Sequence, residues 1–189
     1  MDSEAINVTD EGIDVELDGY DLINASYYAS LMQGVKSVQI KNKEVTNRKI
    51  CGQSDFLIHY VGMLGEIAVC KYLNVPFRRD ITIGGDGNID LTYKDQTVQI
   101  KTSSYYKVQL PRYLIFTNMK DFSTDWAIYC SIQHACVVRI HGFTSRKKFN
   151  KFVETKNFGY GDRYCLDEKY LSDISKFNEA IELPQYQAT

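Results

Sequence analysis

Apolar residues along this chain follow two rhythms. Over residues 55–73 they recur at helical spacing, Ser54 stands where a helix N-cap belongs, and Pro76 lies just beyond the end, so the spacing predicts a helix. A turn-rich stretch follows, Gly84-Gly85-Asp86-Gly87-Asn88, and the rhythm shortens. Residues 89–93 and 97–102 read as two strands joined by a tight turn around Asp95 and Gln96. Residues 113–117, 126–132 and 136–140 are apolar and β-prone. Helical spacing returns over 145–153 and over 169–181, where Leu171, Ile174, Phe177 and Ile181 share one side. This order of elements predicts an α/β fold, a mixed central β-sheet flanked by α-helices.

The first fifty residues read differently. Residues 1–23 form an acidic arm, with a short alternating strand at 13–17, and residues 24–35 suit a short helix. Residues 36–50 carry Lys36, Lys41, Lys43, Arg48 and Lys49 against Glu44, and read as a surface loop or exposed strand. The expected organisation is therefore an N-terminal arm and basic segment over 1–50, then one domain over 51–189. A chain of 189 residues is long enough to bury a core of its own.

Composition narrows the class. Charged residues make up 24% and hydrophobic residues 44%, ordinary for a globular protein, and no apolar run reaches membrane-spanning length. The acidic start lacks the basic and apolar regions of a secretory signal. Cys51, Cys70, Cys130, Cys136 and Cys165 are odd in number and form no CxxC pair, which argues against a disulfide framework or zinc site and for a reducing, cytoplasmic setting. The net charge of −2 hides an asymmetry: residues 1–23 hold eight acids and no Lys or Arg, leaving residues 24–189 at +6. A basic body is compatible with a polyanionic partner, and also with an ordinary solvated surface. The 14 tyrosines suit half-buried strands as well as surfaces that stack on bases.

The candidate chemistry sits in Gly84–Leu91 and in Val98-Gln99-Ile100-Lys101. If the intervening turn has an even length, strand alternation projects Asp90, Gln99 and Lys101 from one face and leaves Ile89, Leu91, Val98 and Ile100 for the core. An odd-length turn would put Asp90 on the other face. The same trio also fits a merely polar sheet surface. The preceding helix carries Glu66 in apolar company, Gly65-Glu66-Ile67-Ala68-Val69, and a carboxylate so placed calls for a partner such as Arg78 or Arg79. His59 lies on the same helix face as Glu66. Asp86, between glycines, fits turn chemistry. His134 and His141 have no metal-like spacing with cysteine.

The run GGDGNIDL followed by VQIK resembles the catalytic core of the PD-(D/E)XK nucleases, in particular the Mrr-like restriction endonuclease branch. There a glycine-rich turn precedes the first Asp, and Gln commonly replaces the second acid. The resemblance spans residues 54–182, including the helix with Glu66 and the later His141-Gly142-Phe143-Thr144 followed by a helix. Ile89 stands where the nominal motif has proline, and Gln99 where it has a carboxylate, both changes known in that branch.

The resemblance implies a restriction-endonuclease-like fold and Mg²⁺-dependent hydrolysis of DNA phosphodiester bonds, with Mn²⁺ able to substitute. It implies metal ligation by Asp90, Gln99 and the Ile100 backbone carbonyl, with Glu66 acting on the metal or its water shell. Lys101 would orient the attacking water. DNA contacts would come from Lys107, Arg112, Arg146, Lys147 and Lys148, with Tyr105 and Tyr106 nearby. A compact homodimeric endonuclease, of the kind carried by phages and mobile elements, is the expected form. Two rivals stand beside it: a weak or inactive nucleic-acid-binding module on a nuclease fold, and an interaction or regulatory protein whose acidic leader is the functional part, able to cover the basic groove and restrain activity.

Overall fold

A computed structural model describes residues 5–41, 54–77, 88–104, 112–159 and 161–183. It is a mixed α/β structure built on a six-stranded mixed sheet. Strands β1 (Ile6–Thr9), β2 (Gly12–Glu16), β3 (Leu91–Tyr93), β4 (Gln96–Ser103), β6 (Trp126–His134) and β7 (Val137–Ser145) form that sheet. Their order is β1-β2-β7-β6-β4-β3. The pair β4 and β6 is parallel and the other pairs are antiparallel. A second, three-stranded sheet has the order β5 (Tyr113–Phe116), β9 (Asp162–Asp167), β8 (Glu154–Asn157).

Two helices, α1 (Gly19–Lys41) and α2 (Asp55–Tyr72), pack on each other, and α2 lies on the main sheet. Ser54 caps α2, its hydroxyl accepting from the Leu57 amide at 3.2 Å. The inner side of α2 buries Met63, Leu64, Ile67 and Ala68 in one core with Val98, Ile100, Trp126, Ile128, Cys130, Val138 and Ile140. On the sheet's other face, a second core gathers Leu114, Phe116, Phe122, Ala127, Tyr129, Phe149 and Leu166. That face also receives helix α3 (Arg146–Phe152), capped by Ser145, whose hydroxyl accepts from the Lys148 amide at 3.2 Å.

Two glycines permit close approaches. A Cβ at Gly65 would overlap the Thr102 hydroxyl and stand 3.0 Å from its Cβ, so glycine lets α2 settle onto β4. Gly142 has φ +156°, and a Cβ there would come within 2.5 Å of the Ser172 carbonyl. Phe143 and Ser172 exchange backbone hydrogen bonds at 2.9 and 2.8 Å across that approach.

Several expectations change. The acidic segment is not a solvated arm: residues 5–41 belong to the sheet and the helical layer. β2 pairs with β7, where Asp14 stands opposite Arg139 and binds it at 2.7 and 2.9 Å. The helix expected over 24–35 runs from Gly19 to Lys41, so Lys36 and Lys41 are helical, while Lys43, Arg48 and Lys49 lie outside the described residues. The continuous helix expected over 169–181 is broken. A 3₁₀ turn at Glu168–Tyr170 ends before the Ser172 bridge, Asp173 caps a second 3₁₀ turn, and α4 (Phe177–Glu182) follows. The Asp173 carboxylate accepts from the Ser175 amide at 2.9 Å, a local bond that restarts the chain instead of continuing one helix. The polar β8–β9 hairpin has no apolar rhythm to announce it. Among the described residues no helix is long and apolar enough to cross a membrane.

The Gly65 contact gives a direct test. Gly65→Ala should lower unfolding free energy by about 1–3 kcal/mol from overpacking, although alanine favours helix by up to ~1 kcal/mol. A urea midpoint unchanged or raised would mean that α2 does not press on Thr102.

Candidate active site

The geometry of the β3–β4 hairpin decides which side chains meet. Lys94 and Asp95 have φ of 48° and 63°, the conformation of a two-residue turn with both central residues left-handed. Tyr93 pairs with Gln96, Thr92 with Thr97 and Leu91 with Val98. The turn falls one residue earlier than the sequence suggests. Its length is even, as the shared face of Asp90, Gln99 and Lys101 requires, and the ladder ends where Leu91 pairs with Val98, so Asp90 meets β4 just beyond it.

Asp90 brackets Gln99 along the edge of β4. Its amide donates to the Val98 carbonyl at 3.0 Å, and its carboxylate accepts from the Ile100 amide at 2.7 Å. Amide and carbonyl of one strand residue point the same way, so the Ile100 carbonyl is directed to the same edge. Gln99 is 1% exposed. With its carboxamide assigned from its partners, the nitrogen donates to the Asp121 carbonyl at 2.9 Å and the oxygen accepts from the Lys101 ammonium at 2.9 Å. Lys101 also lies 5.5 Å from the Phe116 ring centroid. Asp90, Gln99, Lys101 and the Ile100 carbonyl thus gather around one short segment of β4.

Glu66 is buried in α2, which covers the opposite face of β4 from the Gln99 and Lys101 side chains. Burial, and secondarily the Glu66 carboxylate, pushes the Cys70 thiol up to about 12. His59 is on the same helix. Asp86, Arg78, Arg79, Tyr105, Tyr106 and Lys107 lie outside the described residues.

The basic residues separate. Arg146 and Lys147 are exposed at the start of α3. The Arg146 guanidinium donates to the Ser123 carbonyl at 3.3 Å. It therefore borders the loop whose Asp121 carbonyl holds Gln99. Lys148 and Arg112, expected to contact DNA, have partners within the chain. The Lys148 ammonium donates to the Ser172 hydroxyl at 2.9 Å, and burial lowers its pKa. Arg112 is bound among Glu11, Glu168 and His141 at 3.3–3.5 Å, with a side chain only 13% exposed. Lys120 was not picked out from the sequence. It is exposed on the 3₁₀ turn Met119–Asp121, beside the Gln99 contact. No periodicity marks it, because a turn has none.

A polar network that the sequence reading assigned no role lies farther along this face. Ser131 Oγ and His141 Nε2 are 2.7 Å apart, and His141 Nδ1 is 3.6 Å from Glu168. His141 stacks on Tyr129 with centroids 4.9 Å apart. Arg139, bound to Asp14 and Glu11, completes the group. A cleft of about 660 Å³ opens beside it, between the β1–β2 hairpin and residues 167–175. Alternation in β7, Val138-Arg139-Ile140-His141, is the signal that could have shown these polar side chains share a face.

The donors around β4 are all oxygen: the Asp90 carboxylate, the Gln99 side-chain oxygen and the Ile100 carbonyl. Among the described residues there is no group of three or more His, Cys, Asp or Glu suited to a metal. The set holds one carboxylate, so a hard cation held here would have to keep much of its water, as Mg²⁺ does with one or two carboxylates. Compared with known proteins, the chain matches no family model, no curated protein and no solved structure.

Burial, then the Arg112 and Arg139 charges, hold the His141 pKa at about 4, against about 6.5 for an unfolded histidine. A depressed folded pKa means that stability is fully present above the unfolded value and falls as pH drops toward the folded one. Between pH ~6.5 and ~4 the chain should lose up to about 3 kcal/mol through this group. The pKa of Glu168 is raised, chiefly by burial, so its stabilising contribution runs oppositely and is present at low pH. The comparison must therefore be with His141→Gln, whose unfolding free energy should vary less with pH in this window. Equal slopes for both proteins would refute the assignment.

Proposed function

We propose that this protein is a Mg²⁺-dependent DNA endonuclease with a restriction-endonuclease-like arrangement of its mixed sheet. The observation that carries the reading is the convergence of Asp90, Gln99, the Ile100 carbonyl edge and Lys101 on β3 and β4. Asp90, Gln99 and the Ile100 carbonyl would hold the ion. When bound, Mg²⁺ supplies charge neutralisation at the phosphate and a water of lowered pKa. Lys101 adds a fixed positive charge beside the scissile phosphate and donates a hydrogen bond that orients the attacking water. Gln99 holds the Lys101 ammonium in place, and the Asp121 carbonyl holds Gln99. Arg146, Lys147 and Lys120 extend the positive surface along the loop beside the site and would receive the DNA backbone.

A second reading has its own observation. Gln99 is buried and hydrogen-bonded at both ends, which suits a structural strut, and the donor set contains one carboxylate. On this reading the protein binds nucleic acid on a nuclease-like framework without cutting it.

Purified protein with supercoiled plasmid and a branched duplex, in Mg²⁺, Mn²⁺ or EDTA, separates the two. Metal-dependent cleavage should fall by about 10²-fold or more in Lys101→Ala and in Asp90→Ala. DNA binding without cleavage under every condition selects the second reading, and neither binding nor cleavage removes both. Arg146→Ala with Lys147→Ala should weaken binding and flatten its salt dependence by about one phosphate contact each.

A further inference from the structure

Helix α1 is apolar on two sides. Its inner side, with Leu22, Ala25 and Ala29, packs against α2 in the core. Its outer side carries Tyr20, Ile23, Tyr27, Leu31 and Val38, exposed by 81, 66, 58, 39 and 51%. Their spacing at three, four and seven residues places them in one stripe along the helix. Isolated exposed apolar residues are ordinary, whereas a continuous stripe marks a surface that meets another.

The stripe has relief. Ser30, Leu31, Gly34, Val35 and Val38 line a shallow apolar groove of about 340 Å³. Among the described residues a Cβ on Gly34 would meet nothing within 4 Å. Packing against those residues does not require glycine there, although a mid-helix glycine costs about 0.5–1 kcal/mol relative to alanine.

We propose that this face is a homodimer interface, in which α1 pairs antiparallel with α1 of a second copy about a two-fold axis level with Ala29. Two-fold symmetry then sets Tyr27 of one copy against Leu31 of the other, Ile23 against Val35, and Tyr20 against Val38. Tyr20 and Ile23 of each copy enter the groove around Gly34 of the other. Charge selects the orientation. Asp18 caps the start of the helix and lies 3.8 Å from the Lys71 ammonium, yet keeps its side chain 63% exposed, and Lys41 ends the helix. Antiparallel pairing brings each acid to the other copy's base, whereas parallel pairing would bring like charges together. Buried aromatic side chains contribute ~150–250 Å² each, so the stripe offers on the order of several hundred Å² per copy, approaching the ~800 Å² of a standard interface. Helix α2 and the sheet stand between this face and Lys101, so pairing leaves both candidate active sites open. The interface is independent of the nuclease reading.

Sedimentation equilibrium of the full chain tests it. The expected species has twice the 21.7 kDa chain mass, with a dissociation constant in the micromolar range or below. Gly34→Glu, which improves helix propensity and whose Cβ meets no described atom within 4 Å, should weaken dimerisation by at least about tenfold and leave far-UV dichroism unchanged. Ile23→Lys should do the same. The double variant Tyr20→Cys/Val38→Cys should crosslink between copies on mild oxidation above the level of the parent, and neither single variant should. A wild type that stays monomeric at about 100 µM overturns the proposal, whether or not it sediments with anionic lipid vesicles. So does a dimer that Gly34→Glu leaves intact.

Discussion

The structure turns on β4, a strand buried on both faces with different chemistry on each. Val98, Ile100 and Thr102 lie against α2, while Gln99 and Lys101 face the second core. Because side chains alternate with period two, a one-residue slip would drive the Lys101 ammonium toward the apolar side of α2 and strand the Gln99 amide among aliphatic groups. Burying such groups unpaired costs several kcal/mol. Three devices hold the register: the left-handed turn at Lys94 and Asp95, the Asp90 bonds on either side of Gln99, and six residues of parallel pairing to β6. The face alternation that makes a candidate site also fixes the sheet.

Position 99 then explains its own residue type. An amide can donate to the Asp121 carbonyl and accept from the Lys101 ammonium at once. An ionised carboxylate would have no proton for that carbonyl and would face it across a buried contact. Glutamine couples the Met119–Asp121 turn to the lysine, and the turn carries Lys120 to the surface beside them. An amide at this position therefore suits a tight local frame, whichever ligand meets its oxygen.

Much of this was legible in the sequence because it is local. The α2 cap, the even-length hairpin and the common face of Gln99 and Lys101 all depend on residues within a few positions of each other. In the first forty residues the strand at 13–17 and a helix over 24–35 were legible, but their place in the sheet and helical layer was not, because their partners are distant. Asp14 looked like part of an acidic arm until Arg139, 125 positions away, came to lie across the sheet from it. The α1 boundaries were obscured because the helix is apolar on two sides and has no strong polar face to mark its period. The break at Ser172 depends on its bridge to Phe143, which local spacing does not encode.

The same distant pairings revise what net charge says about the surface. A body of +6 over residues 24–189 suggests a broad field for a polyanion, yet several cations have fixed partners. Arg139 faces Asp14 and Glu11, Arg112 faces Glu11 and Glu168, Lys71 faces Asp21, and Lys36 faces Asp55. Part of the acidic leader thus neutralises the body from within the fold instead of covering it from outside. Lys120, Arg146 and Lys147 are exposed on the turn, loop and helix that border Gln99. For a phosphate backbone the location of charge matters more than its sum, since each contact acts within a Debye length of about 10 Å. These three residues place positive charge beside β4, and the sum over the chain would not have located it there.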